Sequence, residues 1–205
     1  MRETLYSYIS SNFKPGEPFF YEDLLGFSQN KDSLRHQVSN LRKQGKIIAH
    51  SNGKFFIPKK SLLGLTPVVS TESVAVSKYI KHGEKIIGYY SGYTFANQIG
   101  ISLQVPLVKE IITNESSAIV RTVHLNNHGF QITKPKVTVN NSNYKVLQLL
   151  SLLENYDKYK DHEVVDADNK IRNYVKMNNI TKDDLYRYAG SFNSRALREI
   201  VSLGL

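Results

Sequence analysis

Residues 31–58 read KDSLRHQVSNLRKQGKIIAHSNGKFFIP, and the fold turns on this stretch. Leu34, Val38 and Leu41 recur at the i, i+4, i+7 spacing of one helix face. Asp32, His36, Ser39, Asn40 and Lys43 take the opposite side, flanked by Arg35 and Arg42. Gly45 stands where a helix end favours a residue that tolerates positive φ. Residues 46–50 and 54–57 then predict two short strands around Ser51-Asn52-Gly53, and an Asn-Gly step between apolar runs is a strong hairpin signal. A basic helix followed by a hairpin is the outline of a winged helix-turn-helix, with its recognition helix and wing.

Working outward, residues 2–13 predict a first helix with Leu5, Ile9 and Phe13 on one stripe. The Lys14-Pro15-Gly16-Glu17-Pro18 run stops it. Phe19 and Phe20 start a strand or pack under the next helix, a short one over residues 21–27 with Leu24 and Leu25 inward. Ser28-Gln29-Asn30 is the turn into the recognition helix. The core expected for residues 1–60 is Leu5, Ile9, Phe13, Leu24, Leu34, Val38, Leu41, Ile47 and Phe56.

Charge follows the same division. The chain of 205 residues carries a formal net charge of +9. Residues 1–60 hold ten Lys/Arg against five Asp/Glu (+5), residues 61–140 seven against four (+3), and residues 141–205 ten against nine (+1). Basic charge alone attracts any polyanion. Charge on a winged-helix outline points to double-stranded DNA. Arg35 and Asn40 are the side-chain types that read guanine and adenine edges in the major groove, and His36 and Lys43 share their face. Lys31 and Ser33 join them, because the N-terminal residues of a recognition helix reach deepest. Lys46, Asn52, Lys54, and with them Lys59 and Lys60, suit backbone phosphates, which give affinity without reading sequence.

Past a connector at residues 59–70, broken by Gly64 and Pro67, Ser70 caps a helix over residues 71–82 that ends at Gly83. A short strand at residues 84–90 leads to a helix that starts at Ser91 and ends at Gly100. Residues 108–113, 118–125, 130–133 and 136–139 are β-like runs separated by turn residues. From Tyr144 the chain turns helical. Val146, Leu147, Leu149, Leu150, Leu152 and Leu153 mark a buried helix, residues 157–163 a break, and residues 168–177, 182–189 and 194–203 three further helices. Thr181 caps the second of these. The expected fold class is α+β: a winged helix-turn-helix over residues 1–60, then a mixed α/β domain with a helical C-terminal tail over residues 61–205.

Several chemistries find no support. There is no Cys, hence no disulfide framework and no thiolate site, which fits the cytoplasm. The first residues lack the apolar core of a signal peptide, and no apolar run approaches the roughly 18 residues of a membrane span. Gly83, Gly88, Gly92 and Gly100 lack the spacing of a phosphate loop and read as turns and caps, with one close helix–helix approach at Gly92. His124 and His128 lie in a turn without the further ligand of a zinc site. The acids Glu154, Asp157, Asp161, Glu163, Asp166 and Asp168 interleave with lysines and lack the glycine of a calcium loop, so they read as a solvated loop and helix start. No nucleophile elbow occurs. No catalytic residue, metal or cofactor is expected.

The stretch 87–106, IGYYSGYTFANQIGISLQVP, resembles the signature of the AbiEi-type antitoxins of type IV toxin–antitoxin systems. Ser91, Gly92, Ala96, Gly100, Ile101, Ser102, Gln104 and Pro106 carry the resemblance. Thr113-Asn114 at the end of a strand, and Phe55-Phe56-Ile57-Pro58 closing the wing, extend it. Residues 191–195 depart from the family's ending by lacking its Pro. The resemblance implies that the winged helix binds inverted repeats in its own promoter and represses the operon. It also implies that residues 61–205 are an antitoxin domain that counteracts a nucleotidyltransferase toxin without a stable complex, as in phage defence. Physically, Phe95 and Ile99 bury, Gly92 and Ala96 admit a close neighbour, and Ser102 and Gln104 are free to contact a partner. Two other functions compete: a winged-helix regulator whose second domain senses a ligand or dimerises, and an enzyme hidden in residues 61–205.

Overall fold

The computed structural model describes residues 4–50, 53–59, 70–125 and 128–205. The fold is mixed α+β, and the chain divides into two compact units, residues 1–85 and 86–205. The boundary expected at residues 60 and 61 lies outside the described residues.

In the first unit, α1 (Leu5–Asn12) starts where the Thr4 hydroxyl accepts the Ser7 N–H. Leu5 and Ile9 face inward, and Phe13 is buried just past the helix end. Gly16, at φ +84°, turns the chain into β1 (Pro18–Phe20). The expected second helix is a 3-10 turn, Glu22–Gly26, with Leu24 buried. Then α2 (Lys31–Lys43) begins at Asn30, whose side chain accepts the Ser33 N–H. It buries Leu34, Val38 and Leu41 and ends before Gly45 at φ +67°. β2 (Ile48–His50) and β3 (Lys54–Phe56) form the hairpin, and β1 joins on the far side of β3, so the antiparallel order is β1-β3-β2. Phe55 on the central strand lies opposite both Phe19 and Ala49. Phe13 stacks on Phe19 at 5.0 Å between centroids, and Tyr21 meets Phe55 edge-on at 4.9 Å. Every residue of the expected core is buried, and Phe19, Phe55 and Ile57 complete it.

Ser70 caps α3 (Thr71–Tyr79) by accepting the Ser73 N–H. The helix stops short of residue 82. Gly83, at φ +54°, is not its cap but the turn between β4 (Lys81–His82) and β5 (Lys85–Ile86). The Ser77 hydroxyl donates to the Pro18 carbonyl, and Val74, Ala75 and Tyr79 are buried, which ties α3 to β1.

The second unit carries the sheet β6-β7-β9-β8, formed by β6 (Gly88–Tyr90), β7 (Val108–Thr113), β8 (Val120–Leu125) and β9 (His128–Thr133). β7 and β9 run parallel with Ile111 opposite Ile132, while the other pairs are antiparallel. Residues 136–139 do not form the expected strand. The Asn114 side chain accepts the Val139 N–H at 2.9 Å and donates to the Val139 carbonyl at 2.8 Å, which satisfies the backbone without a neighbouring strand.

Around α5 (Tyr144–Leu153) pack α4 (Gly92–Gln98), α6 (Tyr156–Tyr159), α8 (Lys182–Ala189) and α9 (Ser194–Ser202). α7 (Ala167–Met177) joins the same core through Ala167 and Ile171. α5 is buried almost all round, as a central helix must be. Its one buried amide, Gln148, donates to the Tyr90 carbonyl and accepts the Tyr174 hydroxyl. α6 overlaps the start of the break expected at residues 157–163, held by burial of Tyr156 and Tyr159. Thr181 caps α8 as expected, in a full capping box with Asp184.

Candidate functional site

The exposed side of α2 is the first candidate surface. Because Leu34, Val38 and Leu41 are drawn into the core, helical geometry turns Lys31, Arg35, His36, Asn40 and Lys43 outward, and all five are exposed. Ser33 is half-buried, and its hydroxyl accepts the Gln37 amide at 3.2 Å. Arg35 is not a loose cation: its Nη1 lies 3.1 Å from Asp32 Oδ1 one turn earlier. That partner was named in the sequence only as part of the polar face.

Of the lysines expected to contact phosphates, Lys46 is exposed, with its ammonium 5.2 Å from the Tyr6 ring centroid. Lys59 is exposed too. Lys54 corrects the expectation. It is only 3% exposed, and burial, with Lys78 nearby, holds its pKa below the ordinary lysine value. Its position on the central strand β3 places its stem in the unit's interior, so it does not present a cation to solvent. Asn52 and Lys60 lie outside the described residues.

The second candidate is the signature from Ser91 to Pro106. Its helix α4 is capped from outside. The Ser91 side chain makes no capping hydrogen bond. Instead Glu110, on β7, accepts the Tyr93 N–H at 3.0 Å, and its own N–H donates to the Thr94 hydroxyl. Gly92, at φ +53°, makes room for that carboxylate. The close approach at Gly92 is therefore to a strand carboxylate and not to a second helix. A charged residue inside the β-run 108–113 was the only sequence trace of it.

Gly100, at φ +76°, ends the helix, and its carbonyl accepts the Lys170 ammonium at 2.6 Å. Ala96 is fully buried. Ser102 is 2% exposed and donates to Asp161 Oδ2 at 2.9 Å, so it is not free to contact a partner. The same carboxylate accepts the Leu103 N–H. These two hydrogen bonds, the Leu103 one first, hold the Asp161 pKa below the ordinary carboxylate range. Gln104 is exposed, and its backbone N–H donates to Ser102 Oγ. Around Gln104 and the half-buried Pro106, Leu103, Val105 and Leu107 are 62%, 79% and 95% exposed.

The acidic run 154–168 is also not simply solvated. Glu154 is buried between Lys136 and the Asn193 N–H, and Asp168 accepts from Tyr156 and Lys160. Among the described residues, no three His, Asp or Glu side chains gather as a metal site. No helix among them is long and apolar enough to cross a membrane.

A family model, described as a family of unknown function (DUF6088), matches residues 7–182. The chain belongs to this family. The DUF6088 match runs unbroken from α1 across both units to the start of α8. It takes in α2, its hairpin and the whole stretch from Ser91 to Pro106, and leaves α9 outside. No curated protein matches the chain.

Proposed function

We propose that the first unit is a winged helix-turn-helix that binds double-stranded DNA, and that the chain is an antitoxin and autorepressor of a type IV toxin–antitoxin pair. It acts in the cytoplasm, by binding and not by catalysis. The observation that carries the DNA reading is the order of elements: helix, strand, short 3-10 turn, basic helix and hairpin, with the first strand closing the sheet as β1-β3-β2. That order leaves the polar face of α2 outward, as a recognition helix requires, with the β2–β3 hairpin as the wing. Arg35 and Asn40 read base edges, His36 and Lys43 flank them, and Lys31 and Lys46 neutralise phosphates.

The antitoxin half rests on the resemblance carried by Ser91, Gly92, Ala96, Gly100, Ser102, Gln104 and Pro106. On this reading the second unit silences a nucleotidyltransferase toxin without forming a stable complex with it. A second reading, a regulator that dimerises through its second unit, draws on the exposed run Leu103, Val105 and Leu107.

Two measurements on the full chain test this. In a gel shift at fixed salt with its own promoter, Arg35→Ala and Asn40→Ala abolish sequence-specific binding; unchanged affinity removes α2 as the reader. Co-expression with the neighbouring gene tests the antitoxin half: the parent chain and the Arg35→Ala/Asn40→Ala variant both restore growth. Failure of the parent chain to restore growth favours the regulator reading.

A further inference from the structure

A pocket of about 250 Å³ opens on the first unit between the 3-10 turn and the start of α2, lined by Tyr21, Glu22, Leu25, Lys31, Leu34 and Arg35. Its walls are set by packing that needs no ligand. Leu34 is 1% exposed, and the Tyr21 ring is pinned edge-on by Phe55. The Leu25 carbonyl is fixed by the Gln29 amide at 2.7 Å. At Gly26 a Cβ would come within 2.5 Å of the Tyr8 hydroxyl, so the turn lies close against α1. The wall is thus an apolar surface with a charged rim. Lys31 and Arg35 stand one helical turn apart on one side, and Glu22 contributes a carboxylate. Asp32 shares Arg35, while no carboxylate among the described residues pairs with Lys31.

We propose that this pocket binds a small apolar carboxylate, its acid group held by Lys31 and Arg35 and its body against Tyr21, Leu25 and Leu34, and that occupancy releases DNA. A preformed apolar cleft with a few polar groups is what small-ligand sites share, and this volume, just under their usual range of about 300–1,000 Å³, suits a small molecule. Binding needs only the pocket. Release of DNA rests on the winged-helix reading, because Lys31 and Arg35 cannot hold a carboxylate and serve phosphates and base edges at once.

The test uses the full chain and three probes: 4-hydroxyphenylacetate, phenylacetate and 4-methylpentanoate, with the uncharged alcohol of the first as control. Calorimetric titration without DNA is expected to show saturable binding of at least one acid. That affinity falls about tenfold, the worth of one charged hydrogen bond, in Lys31→Ala and in Arg35→Ala. It is unchanged in Arg42→Ala, which removes a cation of the same helix outside the pocket. Equal binding of the alcohol, insensitivity to both pocket variants, or no binding of any acid up to about 10 mM overturns the site. The bound acid then dissociates the promoter complex; binding of acid with undiminished DNA affinity overturns the release. A chain that binds the acid but never the promoter refutes the DNA reading and leaves the pocket standing.

Discussion

The carboxylate of Glu110 fills the space a side chain at Gly92 would need: a Cβ there would meet Glu110 Oε1 at 2.1 Å. One residue lacks a side chain so that another, 18 positions later, can cap the first turn of α4. Gly92→Ala meets both this clash and the cost of positive φ. It is expected to destabilise the second unit by about 2–4 kcal/mol in denaturant unfolding. Glu110→Ala alone costs about 1 kcal/mol, the worth of a cap. Combined with Gly92→Ala it recovers part of the loss, and strict additivity of the two would separate them.

Arg35 reaches Asp32 across one exposed helical turn, so the pair adds only about 0.3–0.5 kcal/mol to stability. Its effect is orientation. Asp32→Ala is expected to lower the thermal midpoint by only about 1–4 °C and, on the proposed DNA-binding reading, to relax discrimination at the base pair that Arg35 reads. Arg35→Ala loses about 1–3 kcal/mol of that discrimination. A set of single-base operator variants checks both; discrimination untouched by Asp32→Ala frees Arg35 of its partner.

Lys54 is buried, and burial depresses its pKa. A lysine whose folded pKa lies below its unfolded one burdens the fold fully below the folded value. The burden fades as pH climbs through the window up to the unfolded value near 10.5. Lys54→Met should therefore raise the unfolding midpoint of the first unit at neutral pH, by less as pH rises toward that value. On the proposed DNA-binding reading it should also leave the salt dependence of binding unchanged, while Lys46→Ala lowers the salt slope by about one phosphate contact. A slope reduced by Lys54→Met returns this residue to the phosphate surface.

Asp161, held by the Leu103 N–H and the Ser102 hydroxyl, and Asp168, held by Lys160 and Tyr156, both sit below the usual carboxylate value of 3.8. Depressed carboxylates stabilise the fold fully above their unfolded pKa, and that contribution is lost as pH falls through the folded value. The second unit is expected to weaken progressively below about pH 3.8, and Asp161→Asn to flatten this acid limb. Circular dichroism of the variant across that range decides; a curve parallel to the parent's denies Asp161 the role.

What the sequence determined by itself is the local part. Leu34, Val38 and Leu41 located α2 and its outward face, because an amphipathic stripe and a positive-φ glycine act within a few residues. Ser70 and Thr181 marked helix starts for the same reason, and β7, α5 and α8 fell at their expected residues. The outward set Arg35, His36, Asn40 and Lys43 was legible at that level.

Tertiary structure decided whatever depends on a distant partner. β1 found its place beside β3 only when the chain folded back, and residues 136–139 lost their strand to the side chain of Asn114. Lys54 went inside because its strand is the central one, a fact of strand order and not of composition. Ser102 was drawn in by Asp161, 59 positions away, and Gly92 was fixed by Glu110. Hydrogen bonds and burial between residues far apart in sequence leave no periodic trace, which is why these residues took their meaning from the fold alone.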